Sequence, residues 1–186
     1  GENVNLTFEP HDPSCSGLFI RQVLMKKIPA NLNTLALAFA ANRSDHVERE
    51  IEEFLKQEKS IVVCDRYYLS SLVYQSSEFL PMEKVFGFNE HVRRPDITIF
   101  LNASTQTCYQ RMRKRPEEKE LFEKNLDRTR EKYLQAIDYL RDNGEKILEI
   151  AANGDIEAVL HNILNELMDN GIPKWIPVQM PITFPD

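Results

Sequence analysis

The feature that most constrains the fold is a short apolar run, Ser60–Cys64 (SIVVC), followed directly by the charged residues Asp65 and Arg66. A continuous apolar run bounded by charge is typical of a strand buried on both faces, as in a parallel sheet. An unpaired charge at the end of such a strand would be costly. The pair is therefore predicted to have a functional role.

Other predicted strands alternate with helical stretches along the chain. The strands are Asn3–Phe8, Ile97–Asn102 and Lys146–Ile150, and a long helical stretch, Asn33–Glu58, has Asn33 as its candidate N-cap. Strands alternating with helices predict an α/β fold with a mostly parallel sheet flanked by helices. In such folds the functional loops lie at the carboxyl ends of the strands. Glu9, which follows the first strand, is therefore a candidate at the same edge as Asp65.

Three arginines, Arg21, Arg43 and Arg66, lie just beyond a predicted strand end or one helix away from it. A planar guanidinium suits phosphate and nucleobase carbonyl oxygens, although a surface salt bridge is the common alternative for an arginine. Phe39 is four residues before Arg43, so the two share a helical face and could clamp a nucleobase. On spacing alone, Phe39 also fits an ordinary core position.

Two further groups of polar residues are candidates. The first offers hydroxyl and amide groups for a base or sugar, with N-capping by its serines as the alternative; it consists of Ser70, Ser71, Tyr74 and Gln75. The second is a basic run that is either a solvated helical face or a mobile segment that brings arginines to transferring phosphoryl groups. Its members are Arg111, Arg113, Lys114 and Arg115.

Composition limits the partners. The net charge of −6 argues against a general nucleic-acid binder, which is usually basic. The longest apolar run is too short to span a bilayer, so no membrane partner is expected. Three cysteines without paired spacing indicate a reducing compartment and a cytoplasmic protein, and no Cys/His cluster has zinc spacing.

Several segments of the chain, taken in order, resemble those of the thymidylate kinases, and their sequences are most similar to those of archaeal and bacterial members. The matching segments run from about residue 4 to about residue 168 and are EPHDPSCSGLFIR, LALAFAANRSDHVEREI, VVCDRYYLSSLVYQ, RPDITIFLN and LFEKNLDRTREKY. The resemblance implies the fold of a P-loop nucleoside monophosphate kinase over residues 1–172. It also implies a lid at about 111–123 and an irregular tail at 173–186.

The resemblance further implies roles for individual residues. Phe39 would stack on thymine and Arg43 would hydrogen-bond its O4, while Arg66 and Arg21 would contact the acceptor phosphate. Asp65 and Glu9 would organise Mg²⁺-bound water. Ser71, Tyr74 and Gln75 would contact the base and the sugar. Tyr133 would support the acceptor pocket. The donor phosphates would be contacted by Arg111, Arg113 and Arg115. A homodimer through the helix at 35–41 is also expected.

One family feature is absent from the sequence. Gly-x-x-x-x-Gly-Lys-[Ser/Thr], the loop that cradles ATP phosphates, occurs nowhere in the chain, and only eight residues precede Glu9. The first strand of the family, which leads into that loop, lies in the middle of the sheet. We expect an N-terminal segment that this numbering omits, or a strand supplied by another chain.

Three hypotheses follow. The first is a Mg²⁺-dependent enzyme that transfers the γ-phosphoryl of ATP to dTMP. The second is a non-catalytic nucleotide-binding relative without a donor site. The third is a related nucleoside or nucleotide kinase with a different acceptor, because a shared fold does not fix function.

Overall fold

The computed structural model describes residues 3–11, 14–113 and 125–171. The strands are β1 (Asn3–Phe8), β2 (Ser60–Asp65), β3 (Thr98–Asn102) and β4 (Ile147–Ala151). The helices are α1 (Cys15–Leu24), α2 (Leu32–His46), α3 (Glu52–Leu55), α4 (Tyr68–Tyr74), α5 (Met82–Gly87), α6 (Thr105–Arg113), α7 (Leu126–Asp142) and α8 (Ile156–Asp169), with a π-helical segment (Val47–Ile51) between α2 and α3.

The strands pair in parallel, which confirms the predicted α/β class. β1 pairs with β2 from Asn3 opposite Ser60 to Phe8 opposite Asp65, and β3 pairs with β4. Over the described residues these are two separate two-stranded sheets, because β2 and β3 do not pair with each other. The expectation of a further strand between them stays a prediction.

The register of β1 and β2 brings two candidate residues to one edge. Because Phe8 lies opposite Asp65, both strands end at the same level. The backbone N–H of Glu9 then donates to the carbonyl oxygen of Asp65 at 3.0 Å. The prediction that Glu9 and Asp65 meet at the carboxyl edge is confirmed.

The strands are less covered than the sequence predicts. Val62 packs against the main core, whereas Val63, on the opposite face of β2, is 51% exposed. The prediction of a strand buried on both faces is therefore wrong for the described structure, in which β2 has one strand neighbour and only one covered face. On β1 the polar Thr7 is buried, whereas the apolar Leu6 is 76% exposed.

The helix bounds also differ from the prediction. Asn31, not Asn33, caps α2, since its side chain accepts from the N–H of Thr34 at 2.8 Å. Ser70 and Ser71 lie inside α4, which begins at Tyr68, so the N-capping alternative for them is wrong. The main core joins α4, α5 and α7, and a second cluster joins α1 to α2.

Some predictions fall outside the described residues. They concern Arg115, most of the lid at 111–123 and the tail at 173–186, so the domain bounds stay predictions. Within the described part of the chain, no helix combines the length and apolarity needed to cross a membrane.

Candidate functional site at the strand edge

A buried ion pair joins the end of β1 to α2. The Nε of Arg43 donates to Oε2 of Glu9 at 2.7 Å, and its Nη2 lies 2.6 Å from the same oxygen. Glu9 is 5% exposed and Arg43 is 1% exposed. In such a dry setting each charge depends on the other, because an unpaired buried ion would be very costly.

Two more elements hold the guanidinium of Arg43. Its Nη1 donates to Oδ1 of Asn89, just after α5, and its Nη2 donates to Oγ of Ser71 on α4 at 3.2 Å. The ring of Tyr67 lies 5.1 Å from the guanidinium carbon, within cation–π range. Arg43 is therefore fixed in position by four residues from three separate parts of the chain: the end of β1, the start of α4 and the segment after α5.

One turn after Ser71, the side chain of Gln75 presents a buried acceptor without a partner. Gln75 is 2% exposed, and its Oε1 has no hydrogen-bond partner among the residues that the structure describes. Leaving a buried acceptor unpaired costs about 1–3 kcal/mol. A ligand that brings an N–H group to this oxygen would remove that cost.

An aromatic group lies beside this face of α4. The rings of Tyr74 and Tyr133 meet edge to face at 5.9 Å, and Tyr133 stacks on Phe100 at 5.3 Å. The hydroxyl groups of Ser70 and Tyr133 are 3.3 Å apart. Burial raises the pKa of Tyr133, so its phenol stays neutral at physiological pH.

Arg66 occupies an unusual backbone conformation at the end of β2. Its φ is +66°, in the left-handed region that a residue with a side chain rarely adopts. The guanidinium carbon lies 5.9 Å from the ring centre of Tyr74, and the preceding Asp65 is exposed. Strained residues of this kind persist at functional sites because the surrounding structure holds them.

Arg21 and Phe39 lie on the α1–α2 side of the site. Arg21 donates to the carbonyl oxygen of Pro10 at 3.3 Å, and its guanidinium carbon is 5.9 Å from the ring centre of Phe8. Phe39 is half-buried and packs against the cluster formed by α1 and α2. Core packing of Phe39 is thus real, and its partial exposure leaves part of the ring open to a ligand.

The basic run is a separate feature. The Nη2 of Arg111 donates to the carbonyl oxygen of Gly154 at 2.7 Å, in the loop between β4 and α8. Arg113 is the last residue of α6. The structure thus brings Glu9, Arg43 and Ser71 into direct contact, whereas Arg111 is attached to a different loop.

Sequence reasoning missed several buried polar residues on α2. Asn42 exchanges hydrogen bonds with the backbone of His11, accepting from its N–H at 2.7 Å and donating to its carbonyl at 3.0 Å. His46 is 1% exposed and faces Glu9. The helical spacing of Phe39, Asn42, Arg43 and His46 was the available signal, because it marks one face of α2. Asn89 left no such signal.

Comparisons with known proteins identify the family. The family model described as thymidylate kinase matches residues 1–163. A probable thymidylate kinase from Methanococcus maripaludis strain S2 is 35% identical over 181 residues, covering 94% of this chain and 86% of its own. One from Caldivirga maquilingensis is 37% identical over 171 residues, covering 90% of this chain and 78% of its own.

A solved structure agrees on the fold. The thymidylate kinase of Candida albicans superimposes with a TM-score of 0.69 at 19% identity, covering 90% of this chain and 80% of that one. The family model and the sequence relatives place the chain among the nucleotide kinases, a class of phosphotransferases. Within that class, the chain belongs to the thymidylate kinase family. The predicted family and fold class are confirmed.

Proposed function

We propose that the protein transfers the γ-phosphoryl group of ATP to dTMP, giving dTDP and ADP, with Mg²⁺ as the metal. The choice of dTMP as the nucleotide that receives the phosphoryl group rests on two buried side chains, one a hydrogen-bond donor and the other a hydrogen-bond acceptor. Arg43 keeps one N–H on Nη1 beyond those that Glu9, Asn89 and Ser71 accept, and Gln75, one turn beyond Ser71, supplies an oxygen without a partner among the described residues.

This polarity suits thymine. The base presents an acceptor at O4 beside a donor at N3–H, so Arg43 would bond O4 and Gln75 would accept from N3–H. Cytosine presents the reverse pattern, with a donor amino group beside an acceptor nitrogen, and its amino group could not pair with Arg43, which has donors only. Mismatches of buried hydrogen bonds discriminate strongly between ligands. Phe39 would stack on the base.

The remaining pocket residues would hold the sugar and phosphate. Arg66 and Arg21 would bind the acceptor phosphate, for which a guanidinium fork is well suited. Tyr74 would disfavour a ribose 2′-OH. Ser70 and Tyr133 support the same wall of the pocket, with their hydroxyl groups 3.3 Å apart.

The two carboxylates would have different tasks. Glu9 is buried against Arg43, so its role would be to position that guanidinium. Asp65 is exposed at the strand end and offers the hard oxygen ligand that Mg²⁺ prefers, directly or through a bound water. The metal would neutralise charge on the transferring phosphates. A water-mediated role for Glu9 at the metal stays a prediction.

The donor phosphates would be contacted by arginines of the lid, Arg111, Arg113 and Arg115. Phosphoryl transfer depends on positioning and charge rather than on covalent chemistry by the protein.

We also propose a cytoplasmic homodimer. Leu37 on α2 is 52% exposed on a helix otherwise rich in apolar residues, and Leu37→Glu should convert a dimer to a monomer in light scattering.

The test is ADP formation by the purified protein with dTMP, dUMP, UMP, dCMP and thymidine as competing acceptors. We expect dTMP to be preferred, dUMP to follow and dCMP to be poor. Binding of dTMP without ADP formation would support the non-catalytic alternative. Preference for thymidine or dCMP would refute the assignment of the acceptor.

A further inference from the structure

Behind the Glu9–Arg43 pair lies a second cluster of ionisable side chains, formed by His11, His46 and Glu50. The Nε2 of His11 is 3.2 Å from one carboxylate oxygen of Glu50, and the Nε2 of His46 is 4.0 Å from the other. The two imidazole rings are stacked, with centres 4.1 Å apart and planes inclined by 7°. Potential ligand atoms of all three residues lie within 4.8 Å of one another.

We propose that His11, His46 and Glu50 form a binding site for a divalent cation of the Zn²⁺ class, distinct from the Mg²⁺ that serves phosphoryl transfer. Imidazole nitrogen suits zinc and its late first-row neighbours, whereas Mg²⁺ prefers oxygen ligands throughout. Two imidazoles and one carboxylate make a known zinc ligand set that leaves a fourth position for water.

The distances decide how much movement binding requires. Zn–N and Zn–O bonds of about 2.0–2.2 Å at the tetrahedral angle put ligand atoms about 3.3 Å apart. The pair formed by His11 and Glu50 already has this spacing, at 3.2 Å. The 4.0 Å contact of His46 is to the other carboxylate oxygen, so Glu50 must turn to offer one oxygen to both histidines or bind through both oxygens, and the stacked rings must tilt toward each other. The side chains of His11 and Glu50 are 22% and 33% exposed, which allows both the movement and the entry of a cation.

Surrounding groups orient two of the ligands. The Nδ2 of Asn5 donates to Oε1 of Glu50 at 3.0 Å. Oε1 of Glu9 lies 3.5 Å from Nδ1 of His46, an approach that favours a proton on Nδ1 and a lone pair on Nε2. A carboxylate behind a histidine ligand is a recurrent feature of zinc sites. The hydroxyl of Thr7, 2.8 Å from Nε2 of His46, would turn away as the metal enters.

The neighbouring combination of Glu9, His46 and Cys64 also brings its ligand atoms within 4.8 Å, but its chemistry is less suitable. Glu9 is already paired with Arg43 at 2.6 Å. Burial, followed by the charge of Glu9, raises the pKa of the Cys64 thiol to about 12, and zinc binds the thiolate. The site with His11 and Glu50 needs no deprotonation of that kind.

A cation there would connect two stretches of the chain, the loop after β1 and the continuous helix that runs from α2 into the π-helical segment. His11 belongs to the loop after β1, His46 ends α2 and Glu50 lies in the π-helical segment. Short π-helical insertions occur often at functional sites. The cation would fasten the loop that carries Glu9 to the helix that carries Arg43, and so would stabilise the folded protein by linkage.

The test is titration of the chelator-treated full chain with Zn²⁺ by calorimetry and with Co²⁺ by visible absorption. We expect saturable binding with a tetrahedral Co²⁺ spectrum, and a Zn²⁺-dependent rise in Tm that Mg²⁺ at the same concentration does not produce. His11→Ala and Glu50→Gln should each weaken Zn²⁺ binding by about 100-fold or more, since even residues that only support ligands affect affinity by 10–100-fold.

His91→Ala is the matched control, because His91 is exposed and lies outside the cluster. Its Zn²⁺ affinity should equal that of the unmodified protein. Glu50→Gln keeps the size of the side chain, so it tests the site even where His11→Ala impairs folding. Absence of Zn²⁺ binding, binding that survives both substitutions, or loss of binding in His91→Ala would each overturn the proposal. None of these readouts depends on dTMP or on kinase activity.

Discussion

Glu9 and Arg43 are 34 residues apart in the chain, yet their charged groups meet at 2.6 Å in the interior. The contact ties the loop at the end of β1 to α2, and α2 to α4 through Ser71. A buried ion pair adds little net stability over an apolar pair of the same size, but removing one partner leaves an uncompensated charge. Its value here is positional.

Arg43→Met should therefore be strongly destabilising. The buried Glu9 would lose its counter-charge, at a cost of about 3–5 kcal/mol in the free energy of unfolding. The double variant Glu9→Gln, Arg43→Met should recover a large part of that loss, because no lone charge remains. Urea unfolding of the three proteins measures both effects.

An exposed ion pair provides the control. Arg49 and Asp45 meet at 2.6 Å, but Arg49 is 79% exposed. Asp45→Ala should change stability by less than about 1 kcal/mol, since solvent screens such pairs. Equal losses at Asp45 and Arg43 would mean that burial has no bearing on the Glu9–Arg43 pair.

Gln75→Leu should separate stability from recognition. The substitution removes a buried oxygen that has no partner in the described part of the chain, so the free energy of unfolding should be unchanged or higher. The KM for dTMP should rise by about 10-fold or more, the value of one buried hydrogen bond. Gln57→Leu, at an exposed position, should alter neither quantity. An unchanged KM in Gln75→Leu would refute the reading of thymine N3–H by Gln75.

Tyr74 offers a test of sugar discrimination. Tyr74→Phe keeps the ring that meets Tyr133 edge to face at 5.9 Å, so dUMP should remain preferred over UMP. Tyr74→Ala opens the space for a 2′-OH and should narrow that preference by about 10-fold, a typical effect of a lost steric contact in a pocket. The ratio of kcat/KM for dUMP and UMP is the measurement. A ratio that is the same in all three proteins would rule out this role.

Glu145 should make stability depend on pH. Burial raises the pKa of this carboxyl group, against the opposing effects of the Tyr68 hydroxyl at 2.6 Å and of Arg94. A raised pKa in the folded state means that the protonated form is favoured there. The stability that Glu145 contributes to the folded protein is therefore fully present below pH 4.5, the ordinary pKa of a glutamate. It is lost as the pH rises through the raised pKa of the folded state.

The experiment compares Tm for the unmodified protein and Glu145→Gln across this range. The Tm of Glu145→Gln relative to that of the unmodified protein should increase as the pH rises from acid to neutral, because the variant has no charge to bury at this position. Glu157→Gln, at an exposed position, should show no such trend. A difference in Tm that stays constant with pH would contradict the assignment.

The sequence predicted the order of the strands and the edge where the site lies, because both follow from local patterns. Apolar runs fixed β2, β3 and β4 to within a residue or two. The short helix α5 was missed, since six residues give too little periodicity to detect. The family resemblance supplied roles for residues that composition alone could not.

Pairings across long distances were not predictable from local patterns. Arg43 was expected to face a ligand, and the structure adds that Glu9, Asn89 and Ser71 already hold it. His11 and His46 have no zinc spacing along the chain, because the fold rather than the sequence brings them together. Such contacts depend on tertiary packing, which a single sequence does not encode in any short window.

At Arg66, thermal stability and catalytic activity favour different residues. Its φ of +66° is strained for any residue with a side chain, and glycine would adopt it freely. Arg66→Gly should thus raise Tm or leave it unchanged while lowering kcat/KM for dTMP by about 100-fold or more, the expected loss for a phosphate-binding guanidinium. Screens that select only for thermal stability would favour glycine at this position and would therefore select variants with low kcat/KM. Natural selection for turnover would keep the arginine at the expense of the backbone.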